Sequence, residues 1–173
     1  MLKVFLAAVL ILFQTSVYTI QIPASGGGTI HLKDYKGKKI LVVNIATGSP
    51  FVSQLAGLQS LQEQFKDSLV ILGFPSNSFS SESKSDGAIR SFCTTTYKTR
   101  FLLARKAAVT GSGKQRLYQW LTNETENGAL NGEVQSDFQK YLLDEEGNLV
   151  GSFSGKVLPL DPMITAAIQT NYK

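Results

Sequence analysis

The sequence predicts an α/β fold, a central mixed β-sheet flanked by helices with a β-hairpin at its N-terminal side. Three observations predict it. Two continuous runs of apolar and β-branched residues, Lys39–Ala46 (KILVVNIA) and Leu69–Phe74 (LVILGF), read as strands buried on both faces. Between them Leu55, Leu58, Leu61, Gln62 and Phe65 fall on one side at helical spacing. Strand, helix and strand in so short a stretch imply a right-handed parallel crossover. Later, Phe138–Leu143 and Asn148–Phe153 are joined by Asp144-Glu145-Glu146-Gly147, a polar turn ending in glycine, which makes them an antiparallel hairpin.

The remaining elements follow in order. Val17–Ile22 alternates weakly and ends at Pro23, as an edge strand does. The glycine turn Ser25–Gly28 and the short run Thr29–Leu32 complete an N-terminal hairpin. A helix begins near Ser53. After the Ser-rich loop Pro75–Ser85, Asp86–Tyr97 is a second helix, with Ile89, Phe92 and Cys93 at helical spacing. Phe101–Ala104 is a third strand, and Gln115–Leu121 a short helix in which Tyr118 and Trp120 read as core or half-buried. Residues 123–135 are polar, contain glycine and show no periodicity, so no element is expected there. Asp161 with Pro162 opens a last helix through Ala166 and Ile168.

Composition bounds the function classes. The chain has 173 residues, of which 43% are apolar and 17% charged, enough to bury one domain's core and too few charges for disorder. The formal charge of +4 is mild, and the short group Lys36, Lys38, Lys39 is broken by Gly37. It reads as a solvated turn, so nucleic acid is not an expected partner. One His and one Cys make neither a tetrahedral metal site nor an intrachain disulfide, and no cofactor is expected.

The first 16 residues read as a cleaved secretory signal. Lys3 is its positive start, Val4–Phe13 an apolar run too short to span a bilayer, and Gln14-Thr15-Ser16 the cleavage zone. The domain then occupies residues 17–173, and the expected location is the periplasm or outside the cell, with no membrane span after cleavage.

Five segments carry a family resemblance. They are DYKGKKILVVNIAT (34–47), GLQSLQEQFKDSLVILGFPSNSF (57–79), AIRSFC (88–93), LYQWL (117–121) and DFQKYLLDEEGNLV (137–150). In this order and spacing they resemble the glutathione peroxidase family, from about Tyr18 to Ile168. The resemblance implies a thioredoxin-like three-layer fold and a thiol-dependent peroxidase of the oxidative-stress response, with glutathione or thioredoxin as reductant. Active members carry Cys or selenocysteine in N-V-A-S-x-C-G-F, Gln in F-P-x-N-Q-F, and Trp-Asn before F-x-K-F. Here Asn44-Ile45-Ala46-Thr47-Gly48-Ser49-Pro50-Phe51 places Ser49 at the nucleophile. Phe74-Pro75-Ser76-Asn77-Ser78-Phe79 places Ser78 at the Gln, and Ser136-Asp137-Phe138 replaces Trp-Asn-Phe. All four positions are substituted in a frame that is otherwise kept.

The substitutions change the chemistry. Peroxide reduction needs a thiolate or selenolate that attacks the O–O bond and is itself reversibly oxidised. A serine oxygen has no such ladder. Ser78 and Ser136 are shorter than the hydrogen-bond donors they replace, and Asp137 would oppose a neighbouring thiolate. The expected function is therefore a secreted, non-catalytic family member (a pseudoenzyme) that binds a small polar ligand or a protein, with Ser49, Ser78, Ser136 and Asp137 lining the old pocket. The alternative is a thiol-dependent peroxidase or oxidoreductase working through Cys93, where thioredoxin-dependent members have their resolving Cys. Cys93 reads first as a small apolar helix residue packed next to Phe92, and second as a thiol pairing with another chain. An acyl-transfer role for Ser49 needs a base, and the one His, His31, lies in the N-terminal hairpin region. Asn123-Glu124-Thr125 matches a glycosylation sequon.

Overall fold

The computed structural model describes residues 15–172, so most of the expected signal segment lies outside the described residues. Its elements are β1 (Gln21–Pro23), β2 (Thr29–His31), β3 (Lys39–Ile45), α1 (Gln54–Gln64), β4 (Leu69–Pro75), α2 (Asp86–Thr96) and β5 (Leu102–Leu103), then α3 (Arg116–Leu121), α4 (Glu124–Asn127), β6 (Lys140–Leu143), β7 (Leu149–Phe153) and α5 (Pro162–Gln169). The main sheet has the order β5-β4-β3-β6-β7, and β1 and β2 pair separately. β3 runs parallel to β4, and β4 to β5, whereas β6 and β7 are antiparallel neighbours. This is the mixed sheet of a thioredoxin-like α/β fold, with an N-terminal hairpin.

The two apolar runs become the sheet's centre because every side chain of β3 and β4 is buried. Alternation along β3 divides the core. Ile40 and Val42 face a cluster with Leu32, Leu117, Tyr118 and Trp120, while Leu41, Val43 and Ile45 face Leu58, Leu61, Ile89, Phe138 and Ile164. The second cluster is thus covered by α1, α2 and α5, and the first by α3 and the hairpin side. Each such aliphatic side chain contributes about 1.5–3 kcal/mol by leaving water. Local capping fixes the helix starts. The Ser85 hydroxyl accepts from the Ala88 N–H, and the Asp161 carboxylate accepts from the Met163 N–H at 2.8 Å with Pro162 in the first turn.

Three expectations need correction. Residues Val17–Thr19 form a 3-10 turn, and the first strand begins only at Gln21. Val17 and Ile20 are both buried and lie three apart, which a tight turn satisfies and strand alternation does not. In the polar stretch 123–135, α4 forms a single turn. The Asn123 side chain accepts from the Thr125 N–H at 3.1 Å, and Gly128, at a φ of 74°, ends the turn in the left-handed region. That side chain is the sequon asparagine. Finally, β6 starts at Lys140 and not at Phe138. Phe138 has a φ of 60°, a left-handed conformation that a strand cannot contain.

Candidate functional site

Topology assembles the site. β3 and β4 are parallel, so the loops leaving both emerge at the same end of the sheet. β6 is antiparallel to β3, so the segment entering it arrives at that end too. Three loops meet there: Thr47–Ser49, Ser76–Glu82 and Ser136–Phe138.

Hydrogen bonds lock them together. The Gly48 N–H donates to the Ser81 carbonyl at 2.9 Å, and a Cβ at Gly48 would lie 2.7 Å from that oxygen. Glycine alone permits this approach without a shift. The Ser81 hydroxyl donates to the Asp137 Oδ2. The Asn44 Nδ2 donates to the Ser136 carbonyl at 3.0 Å, and the Phe138 N–H to the Asn44 carbonyl at 2.7 Å. Gly155 backs the third loop, where a Cβ would fall 2.1 Å from the Asp137 carbonyl oxygen.

Two charged residues that the sequence did not single out hold the frame. Glu82 is buried, and its carboxylate accepts from the Thr47 N–H at 2.7 Å, the Thr47 hydroxyl at 3.0 Å and the Lys84 N–H at 3.0 Å. Lys140 is also buried. Its Nζ donates to the Gln54 Oε1 at 2.8 Å, the Phe138 carbonyl at 2.8 Å and the Val157 carbonyl at 2.7 Å. Burial lowers the Lys140 ammonium to about 8. Glu82 stands in a Ser-rich loop and Lys140 begins a strand, positions where charges are ordinarily solvated. The signal available was one of phase: Lys140 alternates with Leu142, which faces the core.

The predicted site residues are placed as follows. Ser49 is buried, and its Oγ accepts from the Phe51 N–H at 3.2 Å, as a turn serine does. No imidazole or carboxylate among the described residues is hydrogen-bonded to that hydroxyl. Ser78 is half-buried. Its Oγ bonds to the Ser76 hydroxyl at 3.0 Å and accepts from the Val109 N–H at 3.0 Å. It lines a groove with Asn77, Lys106, Ala107 and Ala108, which does not include the other three. Ser136 is half-buried. Asp137 is buried, and its Oδ1, like the Asn44 Oδ1, has no hydrogen-bond partner among the described residues. The structure gathers the four at one end of the sheet, with Ser49 and Asp137 buried and Ser78 and Ser136 half-buried.

Cys93 lies on α2 in the core with Ile89 and Leu41, fully buried. Burial, with the Glu82 charge adding to it, pushes its thiol up to about 11, so it is a thiol at neutral pH. Among the described residues, no group of three or more His, Cys, Asp or Glu side chains is placed to hold a metal. No helix among them is long and apolar enough to cross a membrane.

The family model for glutathione peroxidase matches residues 17–122, from the 3-10 turn through α3. The chain belongs to the glutathione peroxidase family. A glutathione peroxidase of Lactococcus lactis is 38% identical over 135 residues, 77% of this chain and 85% of that one. The crystal structure of Trgpx in its apo form superposes with a TM-score of 0.67 at 26% identity, covering 90% of this chain and 97% of that one. A thioredoxin-family thiol:disulfide interchange protein from Chlorobium tepidum, at 14% identity and a TM-score of 0.62, covers 90% of this chain and 97% of its own, and shows the shared fold. Family membership supports a peroxidase-like function and a thiol reductant as partner. The resemblance read from the five sequence segments is the same family.

Proposed function

We propose that this glutathione peroxidase-family protein is exported and acts by binding, with the peroxide-reducing step lost. One observation carries the reading. Where the family places its sulfur or selenium nucleophile, this chain has Ser49, a buried hydroxyl accepting a backbone hydrogen bond. An oxygen there cannot pass through the sulfenic or selenenic state on which turnover depends. The replacements at Ser78, Ser136 and Asp137 support it, because Ser78 and Asp137 are hydrogen-bonded to other partners and none of the three is bonded to the Ser49 hydroxyl. Export is supported by the apolar run Val4–Phe13 behind Lys3.

The second reading keeps the family's peroxidase activity and routes it through Cys93, the chain's single thiol. Its burial and raised pKa weigh against attack on a peroxide without an opening of α2. Peroxide consumption by the mature protein, with glutathione or thioredoxin as reductant, separates the two. The expected result is no turnover above the uncatalysed rate. Turnover abolished by Cys93→Ser establishes the second reading, and turnover abolished by Ser49→Ala overturns both. The mass of the N-terminus in secreted material tests export, and an intact Met1 start would refute it.

A further inference from the structure

We propose that the hollow beside β5 is a binding site for a small oxyanion-bearing molecule, whose carboxylate or phosphate group is held by Arg90 and Arg100. The chain has four arginines. Two are committed: Arg105 to Asp86 at 3.7 Å, and Arg116 to Glu126. Among the described residues neither Arg90 nor Arg100 meets a carboxylate at ion-pair distance. Both line one concavity of about 300 Å³, with Ser25, Gly26, Thr94 and Thr99. Two arginines with no carboxylate partner on one hollow bring to it the planar, charged donors that suit a carboxylate or a phosphate.

The local backbone is shaped to admit them. A Cβ at Gly26 would sit 2.8 Å from the Arg90 Nη1, so the absence of a side chain there is what lets the guanidinium lie against the hairpin turn. Asp86, near enough for its carbonyl to accept from the Ser25 hydroxyl, does not neutralise the hollow. Its carboxylate accepts from the Lys106 N–H at 2.6 Å and pairs with Arg105. Phe101, Leu102 and Leu103 add an apolar wall, which gives room for a short hydrocarbon body behind the anionic head. The hollow contains none of Ser49, Ser78, Ser136 or Asp137, so it stands apart from the site at the ends of β3 and β4.

Calorimetric titration of the mature protein with inorganic phosphate, and separately with hexanoate, tests the site. Saturable binding of at least one probe is expected, weakened about tenfold or more by Arg90→Gln and by Arg100→Gln, and reduced by added salt. Tighter phosphate binding assigns a phosphate head, and tighter hexanoate binding a carboxylate with an apolar body. Gly26→Ala keeps every charge and, with no positive φ to strain, displaces only the Arg90 guanidinium. It too is expected to weaken binding, with the circular dichroism spectrum unchanged. Saturable binding of neither probe, or binding that all three variants leave unaltered, overturns the proposal.

Discussion

Two lysines begin strands at opposite ends of the central sheet, and each is satisfied differently. Lys39 opens β3, is buried, and pairs with Glu145 at 2.7 Å. Lys140 opens β6 beside the far end of β3, is fully buried, and has three neutral oxygens and no carboxylate. Charge meets charge at the end away from the candidate site. At the site end, charge is met by dipoles, and the same holds for Glu82, whose carboxylate accepts there from backbone N–H groups and a hydroxyl. A charge held by several dipoles fixes several segments at once, which is why Lys140 ties α1, the entry to β6 and the 154–157 loop into one unit.

The largest break in that comparison is Lys140→Met, which leaves three buried oxygens without a donor. A loss of about 3–5 kcal/mol in urea unfolding is expected, because each buried acceptor left unsatisfied costs about 1–3 kcal/mol. Glu82→Gln comes next. One carboxylate oxygen becomes an NH₂ facing the Thr47 N–H or the Lys84 N–H, at a cost of about 2–3 kcal/mol, with faster amide exchange at Thr47 and Gly48. Lys39→Met is expected to cost only about 1 kcal/mol, because Glu145 is part-exposed and its carboxylate can be hydrated.

The smallest effect is the pH dependence, on which Lys140 and Cys93 act with opposite sign. Lys140 is lowered to about 8 from an ordinary 10.5, so above pH 8 the unfolded chain binds more protons and stability rises with pH. Cys93 is raised from 9.0 to about 11, so above pH 9 the unfolded chain binds fewer protons and stability falls. A shallow maximum near pH 9 is expected, rising by up to about 1 kcal/mol from pH 8. Lys140→Met should remove the rising limb and leave the fall.

Much of the fold was legible. The runs over β3 and β4, the α1 spacing and the β6–β7 turn each carried a strong local signal, because burial on both faces selects mostly apolar residues. The site's frame was legible in the same way: Ser49 and Ser78 follow β3 and β4, and Ser136 and Asp137 precede β6. What was not legible was their orientation. Whether Ser49 faces solvent or the Phe51 N–H is decided by the turn after β3, and that turn depends on Glu82 and Ser81, both more than thirty residues away. The left-handed Phe138 was hidden for a similar reason, since only the surrounding contacts to Asn44 and Lys140 make that conformation tolerable.

The sequence by itself determined the strand order's raw material, the family, and the side chain at each position the family resemblance singles out, because apolar runs and side-chain identities are local properties. Only the tertiary structure decided which charges are buried and what meets them. Desolvation and hydrogen bonding depend on groups brought together across the sheet, and no window of the chain contains both Lys140 and the Gln54 and Val157 oxygens that hold it.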